Sequence, residues 1–152
     1  MVVLIDCHTD GLAHEIEPQE WIALIRLADP RVPRALRDGW RFLLEFEMDR
    51  DEASSSTGEM SPERVRAIVT FWERLANSLS PLALVIRDDH SRRWSAGVAK
   101  ALGEAGGMYV PMPQIEYDRN VHQTLAAELR TMRRAARRTS VLHRIRTLLG
   151  QS

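Results

Sequence analysis

One short apolar run constrains how this chain can fold more than any other feature of its sequence. Residues 82–86 follow Pro81 without a polar side chain, which is typical of a strand buried on both faces of a sheet. The polar residues 87–93 come next, and apolar residues then recur at helical spacing, at Ala96, Val98, Ala99 and Leu102. This order predicts a strand, a tight loop and a helix whose first N–H groups would face an anion bound above the loop.

Apolar patterns along the rest of the chain predict an α/β fold. Strands are predicted at 2–5, 21–27, 41–46 and 82–87. Helices are predicted at 62–78, at 95–105 and from residue 119 onwards. Since strands alternate with amphipathic helices, we expect three layers: a mostly parallel central sheet, with strand 82–87 in its interior, flanked by helices. The predicted core residues are Leu43, Phe46, Ile68, Trp72, Val85, Ile86 and Val98.

The predicted helices have recognisable ends. Ser61 and Asp118 are placed to cap the first and the third helix through their side-chain oxygens, and Gly106 is placed to end the second. Thr139 and Ser140 should interrupt the C-terminal helix, because their hydroxyl groups compete for backbone hydrogen bonds.

Length and composition limit the organisation of the chain. With 152 residues, of which 44% are hydrophobic, the chain suits one core, so we expect a single domain over residues 1–152. A single cysteine, Cys7, excludes an internal disulfide and fits a reducing compartment. No apolar run approaches membrane-spanning length, and residues 1–5 lack the features of a signal peptide. These features predict a cytoplasmic protein without a transmembrane segment.

Charge is unevenly distributed, although the net charge is zero. Residues 1–60 hold 13 acidic residues against 6 arginines, whereas residues 120–152 hold 7 arginines against Glu128 alone. The predicted helical extension at 130–149 therefore presents a basic surface. It comprises Arg130, Arg133, Arg134, Arg137, Arg138, Arg144 and Arg146. Such a surface can bind nucleic acid, an anionic membrane or an acidic partner, or it can be a solvated face paired with the acids of residues 1–60.

The strand, loop and helix around residue 88 resemble the signature segment of the cysteine-dependent protein tyrosine and dual-specificity phosphatases. That signature is a strand, His-Cys, five loop residues, Arg-Ser and an Ala-rich helix, and the chain aligns with it without gaps. Asp88 stands at the position of the nucleophilic Cys, Trp94 at that of the phosphate-binding Arg, and Arg87 at that of the His. Ser91 replaces a usual loop glycine, and Ser95 alone matches the signature.

The resemblance covers about residues 20–105 and implies a phosphatase-like fold. It includes the predicted strands 21–27 and 41–46 and the helix before the signature strand. In the phosphatases an acid after the third strand protonates the leaving oxygen, which implies that role for Glu47 or Asp49.

The replaced residues imply that the chain is a catalytically silent, phosphatase-like binding module. A carboxylate at Asp88 would face phosphate without the forked cation, a loss expected to cost on the order of 10³-fold or more in rate. We expect the loop to bind a protein or an anionic partner, without a cofactor. Its residues are Arg87, Asp88, Asp89, His90, Ser91, Arg92, Arg93, Trp94 and Ser95. The ring of Trp94 is expected either to fill the emptied phosphate pocket or to cap the helix.

Alternative functions stay open. A metal-assisted hydrolase could use Asp88, Asp89 and His90, with Asp6 and His8, whose Asp-x-His pattern resembles the opening of metal-dependent amidohydrolases. We favour a simple strand end and turn at that opening, and we predict no metal site. A residual phosphatase-like enzyme, a nucleic-acid-binding adaptor using the arginine-rich end and a homo-oligomer are further alternatives.

Overall fold

The computed structural model describes eight elements of an α/β fold. The residues it describes are 4–8, 20–28, 39–47, 59–78, 83–88, 92–109 and 116–148. The strands are β1 (Leu4–His8), β2 (Ile22–Ala28), β3 (Leu43–Glu47), β4 (Ala83–Asp88) and β5 (Met108–Tyr109). The helices are α1 (Pro62–Ala76), α2 (Arg92–Glu104) and α3 (Arg119–Leu148). The predicted α/β class is confirmed.

Strand β4 lies at the centre of a five-stranded parallel sheet with the order β3-β2-β4-β1-β5. Ile86 of β4 pairs in register with Ile25 of β2 on one side and with Cys7 of β1 on the other. Residues 84–88 are all buried, as an apolar strand in the interior of a parallel sheet requires. The predicted interior position of this strand is confirmed.

The two faces of the sheet contribute to different clusters, because successive side chains of a strand alternate between faces. Ile25 and Ile86 belong to a large buried cluster that also includes residues of α1, α2 and α3. Leu24 and Val85 lie on the opposite face, in a smaller cluster against which Trp40 packs. The described helices thus cover one face, and the second helical layer of the predicted three-layer arrangement stays a prediction.

Helix α1 has the predicted N-cap. The Ser61 hydroxyl oxygen accepts a hydrogen bond from the Arg64 N–H at 3.4 Å, which satisfies one of the donors that a helix start leaves unpaired. The buried side chains of α1 recur at helical spacing and pack over the sheet: Val65, Ile68, Val69, Phe71, Trp72 and Leu75. The helix ends at Ala76, two residues earlier than predicted.

The predicted glycine end of α2 is confirmed. Gly106 has a φ of 111°, a conformation that costs glycine little. Its N–H donates to the Gly103 carbonyl, and the Gly107 N–H donates to the Leu102 carbonyl, both at 3.1 Å. These two bonds form the usual glycine-terminated helix end, and they turn the chain directly into β5.

Helix α3 begins as predicted but is not interrupted. The Asp118 Oδ1 accepts hydrogen bonds from the N–H groups of Asn120 at 2.9 Å and Val121 at 3.0 Å. The break predicted at Thr139 and Ser140 is wrong, because one helix runs through both residues. The Thr139 hydroxyl donates to the Ala135 carbonyl at 3.1 Å, so it is satisfied within the helix. Within the described ranges, no helix is long and apolar enough to cross a bilayer.

Two other predictions near strand ends are wrong. Strand β1 does not stop before Asp6 but continues to His8, because β4 provides parallel backbone partners along this whole length. Leu43 and Phe46 are half-buried rather than buried, because β3 is an edge strand of the sheet. The other predicted core residues are confirmed as buried: Ile68, Trp72, Val85, Ile86 and Val98.

Candidate functional site

The signature segment forms the junction between β4 and α2, and its described side chains are mostly buried. Asp88 is the last residue of β4, not the first loop residue as predicted, and only 2% of its surface is exposed. Ser95 is also buried, in the first turn of α2. Asp89, His90 and Ser91, the side chain of Arg92, and the predicted general-acid candidate Asp49 lie outside the described residues.

Trp94 is part of the hydrophobic core. It is 4% exposed and belongs to the same cluster as Ile86, Val98 and Leu125. Because this apolar side chain anchors the first turn, α2 begins at Arg92, three residues earlier than the predicted start. An indole buried in such a cluster carries no charge with which to bind phosphate.

Arg87 belongs to a charged row on the other face of the sheet. It is 2% exposed and pairs in register with Arg26 of β2, which is 1% exposed. The Arg26 Nη1 lies 3.2 Å from the Glu45 Oε2 of β3, the register partner of Arg26. A buried ion pair with hydrogen-bonding geometry is strongly attractive but costs desolvation. Two members of the row had a sequence signal, since Arg26 and Glu45 each lie inside an apolar run, but this signal does not show which residues meet.

Arg93 is the one loop residue whose described side chain is exposed. Its Nη2 lies 2.8 Å from the Glu116 Oε2, and its side chain is 67% exposed. Its backbone carbonyl accepts a hydrogen bond from the Asp118 N–H at 2.9 Å. Arg93 therefore ties the start of α2 to the segment that caps α3, and much of its charge is already matched by Glu116.

A second polar cluster, missed from the sequence, joins α2 to α3. The Glu104 Oε1 lies 3.0 Å from the His122 Nε2 and 3.4 Å from the Lys100 Nζ. The Lys100 Nζ also lies 5.2 Å from the centre of the Tyr117 ring, which meets the His122 ring edge-on at 5.5 Å. Lys100 and Glu104 line an open cavity of about 410 Å³ beside β5. The i, i+4 spacing of Lys100 and Glu104 was a visible signal, but the contribution of His122 from another helix was not.

The cluster lowers the pKa of Glu104. Partial burial raises it, but the hydrogen bonds and positive charges of His122 and Lys100 outweigh burial, so the pKa lies below the ordinary value of 4.5. A carboxyl group whose pKa is lowered by folding stabilises the folded state fully at pH values above its pKa in the unfolded chain. This stabilisation is lost as the pH falls through its pKa in the folded protein.

Replacing Glu104 by Gln should therefore reduce stability fully above about pH 4.5 and progressively less below it. At pH 7 we expect the free energy of unfolding to fall by less than about 1 kcal/mol, since the carboxylate is half exposed and screened by water. The difference should disappear once the pH has fallen through the pKa that Glu104 has in the folded protein. Urea unfolding at several pH values measures it, with Glu73→Gln on the exposed side of α1 as the matched control; a constant difference at all pH values would contradict the electrostatic cause.

The arginines of α3 divide into two groups. The Arg133 Nη2 donates a hydrogen bond to the Ala105 carbonyl at the end of α2, where helix carbonyls attract cations. Its role is structural, which the sequence did not indicate. The other described arginines of the predicted basic surface are exposed, and none pairs with an acidic residue in the described part of the chain: Arg130, Arg134, Arg137 and Arg138. The side chains of Arg144 and Arg146 lie outside the described residues.

The metal alternative gains no support from the described residues, among which no group of three or more His, Cys, Asp or Glu side chains could hold a metal ion. Asp89, His90 and the side chains of Asp6 and His8 lie outside that description. The metal-assisted hydrolase stays a prediction from the sequence.

Comparison of the chain with protein-family profiles, with curated proteins and with solved structures found no match. The resemblance to phosphatases rests on the sequence pattern alone. No relative therefore supplies a role for any residue of the junction.

The described side chains at the signature positions of the junction are inaccessible. The buried carboxylate of Asp88 and the buried indole of Trp94 offer no accessible nucleophile and no exposed cation. Exposed arginines without an acidic partner among the described residues lie instead on α3, and they can bind an anionic surface.

Proposed function

We propose that the chain is a catalytically silent, phosphatase-like binding module that engages an anionic or protein partner. The burial of Asp88 and Trp94 carries this proposal, because these residues occupy the positions that the resemblance assigns to the nucleophile and the phosphate-binding Arg. A nucleophile must reach its substrate, and a phosphoryl group in transfer needs positive charge around it. The central parallel strand followed by α2 is compatible with the proposed three-layer, phosphatase-like fold.

The partner-binding part of the proposal depends mainly on α3. Among the described side chains of the predicted loop, Arg87, Asp88, Trp94 and Ser95 are buried, and Arg93 is already paired with Glu116. The exposed arginines of α3 are therefore the better placed cations. The loop positions outside the described residues remain proposed contacts.

The purified protein should not hydrolyse aryl phosphates above the rate of a buffer blank. The reason is that the signature positions hold Asp88 and Trp94 instead of the thiolate and the bidentate cation that lower the barrier of phosphoryl transfer. Release of the phenol by the wild type and by the Asp88→Asn variant, which keeps the size of the side chain, should be equally low.

Circular dichroism should confirm that both proteins are folded in this assay. Robust turnover in the wild type that is lost in Asp88→Asn would show a carboxylate nucleophile and would overturn the silent assignment. Turnover that requires added divalent metal would instead support the hydrolase alternative.

A further inference from the structure

Helix α3 continues for several turns past its last buried residue in the part whose burial is described. Among those residues, Leu129 is the last buried one and Met132 the last half-buried hydrophobic one, whereas residues 133–139 are all exposed. The helical backbone continues to Leu148. At about 1.5 Å per residue, positions 134–148, here called the arm, span roughly 22 Å.

The apolar stripe with which α3 packs into the core becomes polar further along the sequence of the helix. Val121, Leu125 and Leu129 lie one helical turn apart and pack into the core. Continuing the same side of the helix gives the positions of Met132, Ala136, Thr139, His143 and Thr147. The apolar stripe that holds α3 on the domain therefore ends near Ala136.

The arm nevertheless carries a second apolar stripe, on the other side of the helix. Its positions lie roughly half a helical circumference away from the core stripe: Val141, Leu142, Ile145 and Leu148. The exposed arginines of the preceding turns fall on this same side: Arg130, Arg134, Arg137 and Arg138. These eight positions together are called the outward side of α3. Along it, a basic segment is followed by an apolar segment.

We propose that the outward side of α3 docks on an anionic lipid bilayer. The arginines match the negative headgroups, and the apolar positions match the boundary between headgroups and acyl chains, which lies only a few ångströms deeper. Electrostatic attraction to anionic lipids and burial of apolar side chains both strengthen the membrane binding of a basic helix with an apolar stripe. The proposal rests on the anionic-partner half of the proposed function and is independent of the phosphatase-like half.

Other occupants match the outward side less well. A nucleic acid would pair with the arginines but offers no comparable surface to the apolar segment. A second copy of the helix in parallel orientation would place arginines against arginines, and an antiparallel copy would place them against the apolar segment. The bilayer is the occupant that offers both anionic groups and an apolar layer to the same side of the helix.

Vesicle flotation with the full chain tests the proposal. Vesicles of phosphatidylcholine with roughly 30% phosphatidylserine are compared with pure phosphatidylcholine vesicles at about 100 mM salt. The charge variant is Arg134→Glu with Arg137→Glu, and its matched control is Arg66→Glu with Arg74→Glu, which changes the net charge equally at exposed positions of α1. The apolar variant is Leu142→Gln with Ile145→Gln.

We expect binding only to the anionic vesicles. The charge variant should bind at least about 25-fold more weakly, since each arginine near an anionic surface strengthens binding about fivefold. The vesicle affinity of the apolar variant should be at least about tenfold lower than that of the wild type. The control pair should bind like the wild type. Circular dichroism verifies that each variant keeps its helix content.

Absence of vesicle binding, or binding that neither variant weakens, would overturn the proposal. In that case a DNA duplex of about 20 base pairs and a polyglutamate chain are tested in the same way. Binding to either that depends on Arg134 and Arg137 would leave the anionic-partner function standing with a different partner. Absence of binding to every polyanion would overturn both the bilayer proposal and the anionic-partner function.

Discussion

Replacing Arg26 by Met is expected to lower the free energy of unfolding by about 3–5 kcal/mol. The Arg26 side chain is 1% exposed and lies 3.2 Å from a Glu45 carboxylate whose side chain is 9% exposed. Without the guanidinium, the carboxylate stays in a nearly dry position with no cation from β2. The cost comes from keeping the Glu45 charge buried without this cation more than from the lost attraction.

A double variant separates these two contributions. Arg26→Met combined with Glu45→Leu removes both charges, so most of the stability should return. The exposed pair of Arg66 and Glu63, whose atoms lie 3.5 Å apart, is the matched control, and Arg66→Met should change stability by less than about 1 kcal/mol. Urea unfolding measures all four proteins. A double variant as unstable as Arg26→Met alone would show that the row of charges has partners more important than Glu45.

This row illustrates why only part of the site could be predicted from the sequence. Arg26 and Glu45 each lie in an apolar run, where a charge is unusual and therefore noticeable, whereas Arg87 begins the polar stretch 87–93. Their meeting depends on the order β3-β2-β4 and on a parallel register, which are set by packing of the whole sheet. The same limit applies to His122, whose contact with Glu104 depends on how α3 crosses α2.

Local patterns, in contrast, predicted most of the fold. An all-apolar run identified the central strand β4, and side-chain oxygens followed by helical periodicity identified the caps of α1 and α3. Errors occurred where local preference competed with longer-range support. Strand β1 continues past Asp6 because β4 provides backbone partners, and α3 continues past Thr139 because the hydroxyl bonds within the helix.

The burial of the signature residues was the other property that the sequence did not determine. The sequence pattern predicted a strand–helix junction that contains Asp88, Trp94 and Ser95. The structure has this junction at these residues. For the Trp94 ring the pattern offered a phosphate pocket or a helix cap, not the core packing that the structure shows, so the role of the ring was the open question. That question has a direct experimental answer, because the alternatives differ in how much stability depends on the ring.

Replacing Trp94 by Ala is expected to lower the free energy of unfolding by about 3–5 kcal/mol, the usual cost of removing a large aromatic side chain from a core. Trp94 is 4% exposed and shares a cluster with Val98 of the same helix and Leu125 of α3. The cavity would therefore weaken both the first turn of α2 and its contact with α3. Urea unfolding followed by far-ultraviolet circular dichroism measures the loss.

Trp21 is the matched control, because 48% of its surface is exposed and Trp21→Ala should change stability by less than about 1 kcal/mol. If Trp94→Ala lowered the free energy of unfolding as little as Trp21→Ala, the ring of Trp94 would lie in an open pocket rather than in the core. That outcome would also reopen the junction as an anion site, since a displaced ring leaves room above the N-terminus of α2. The stability of Trp94→Ala therefore decides whether the junction is a packed part of the core or a vacant phosphate cradle.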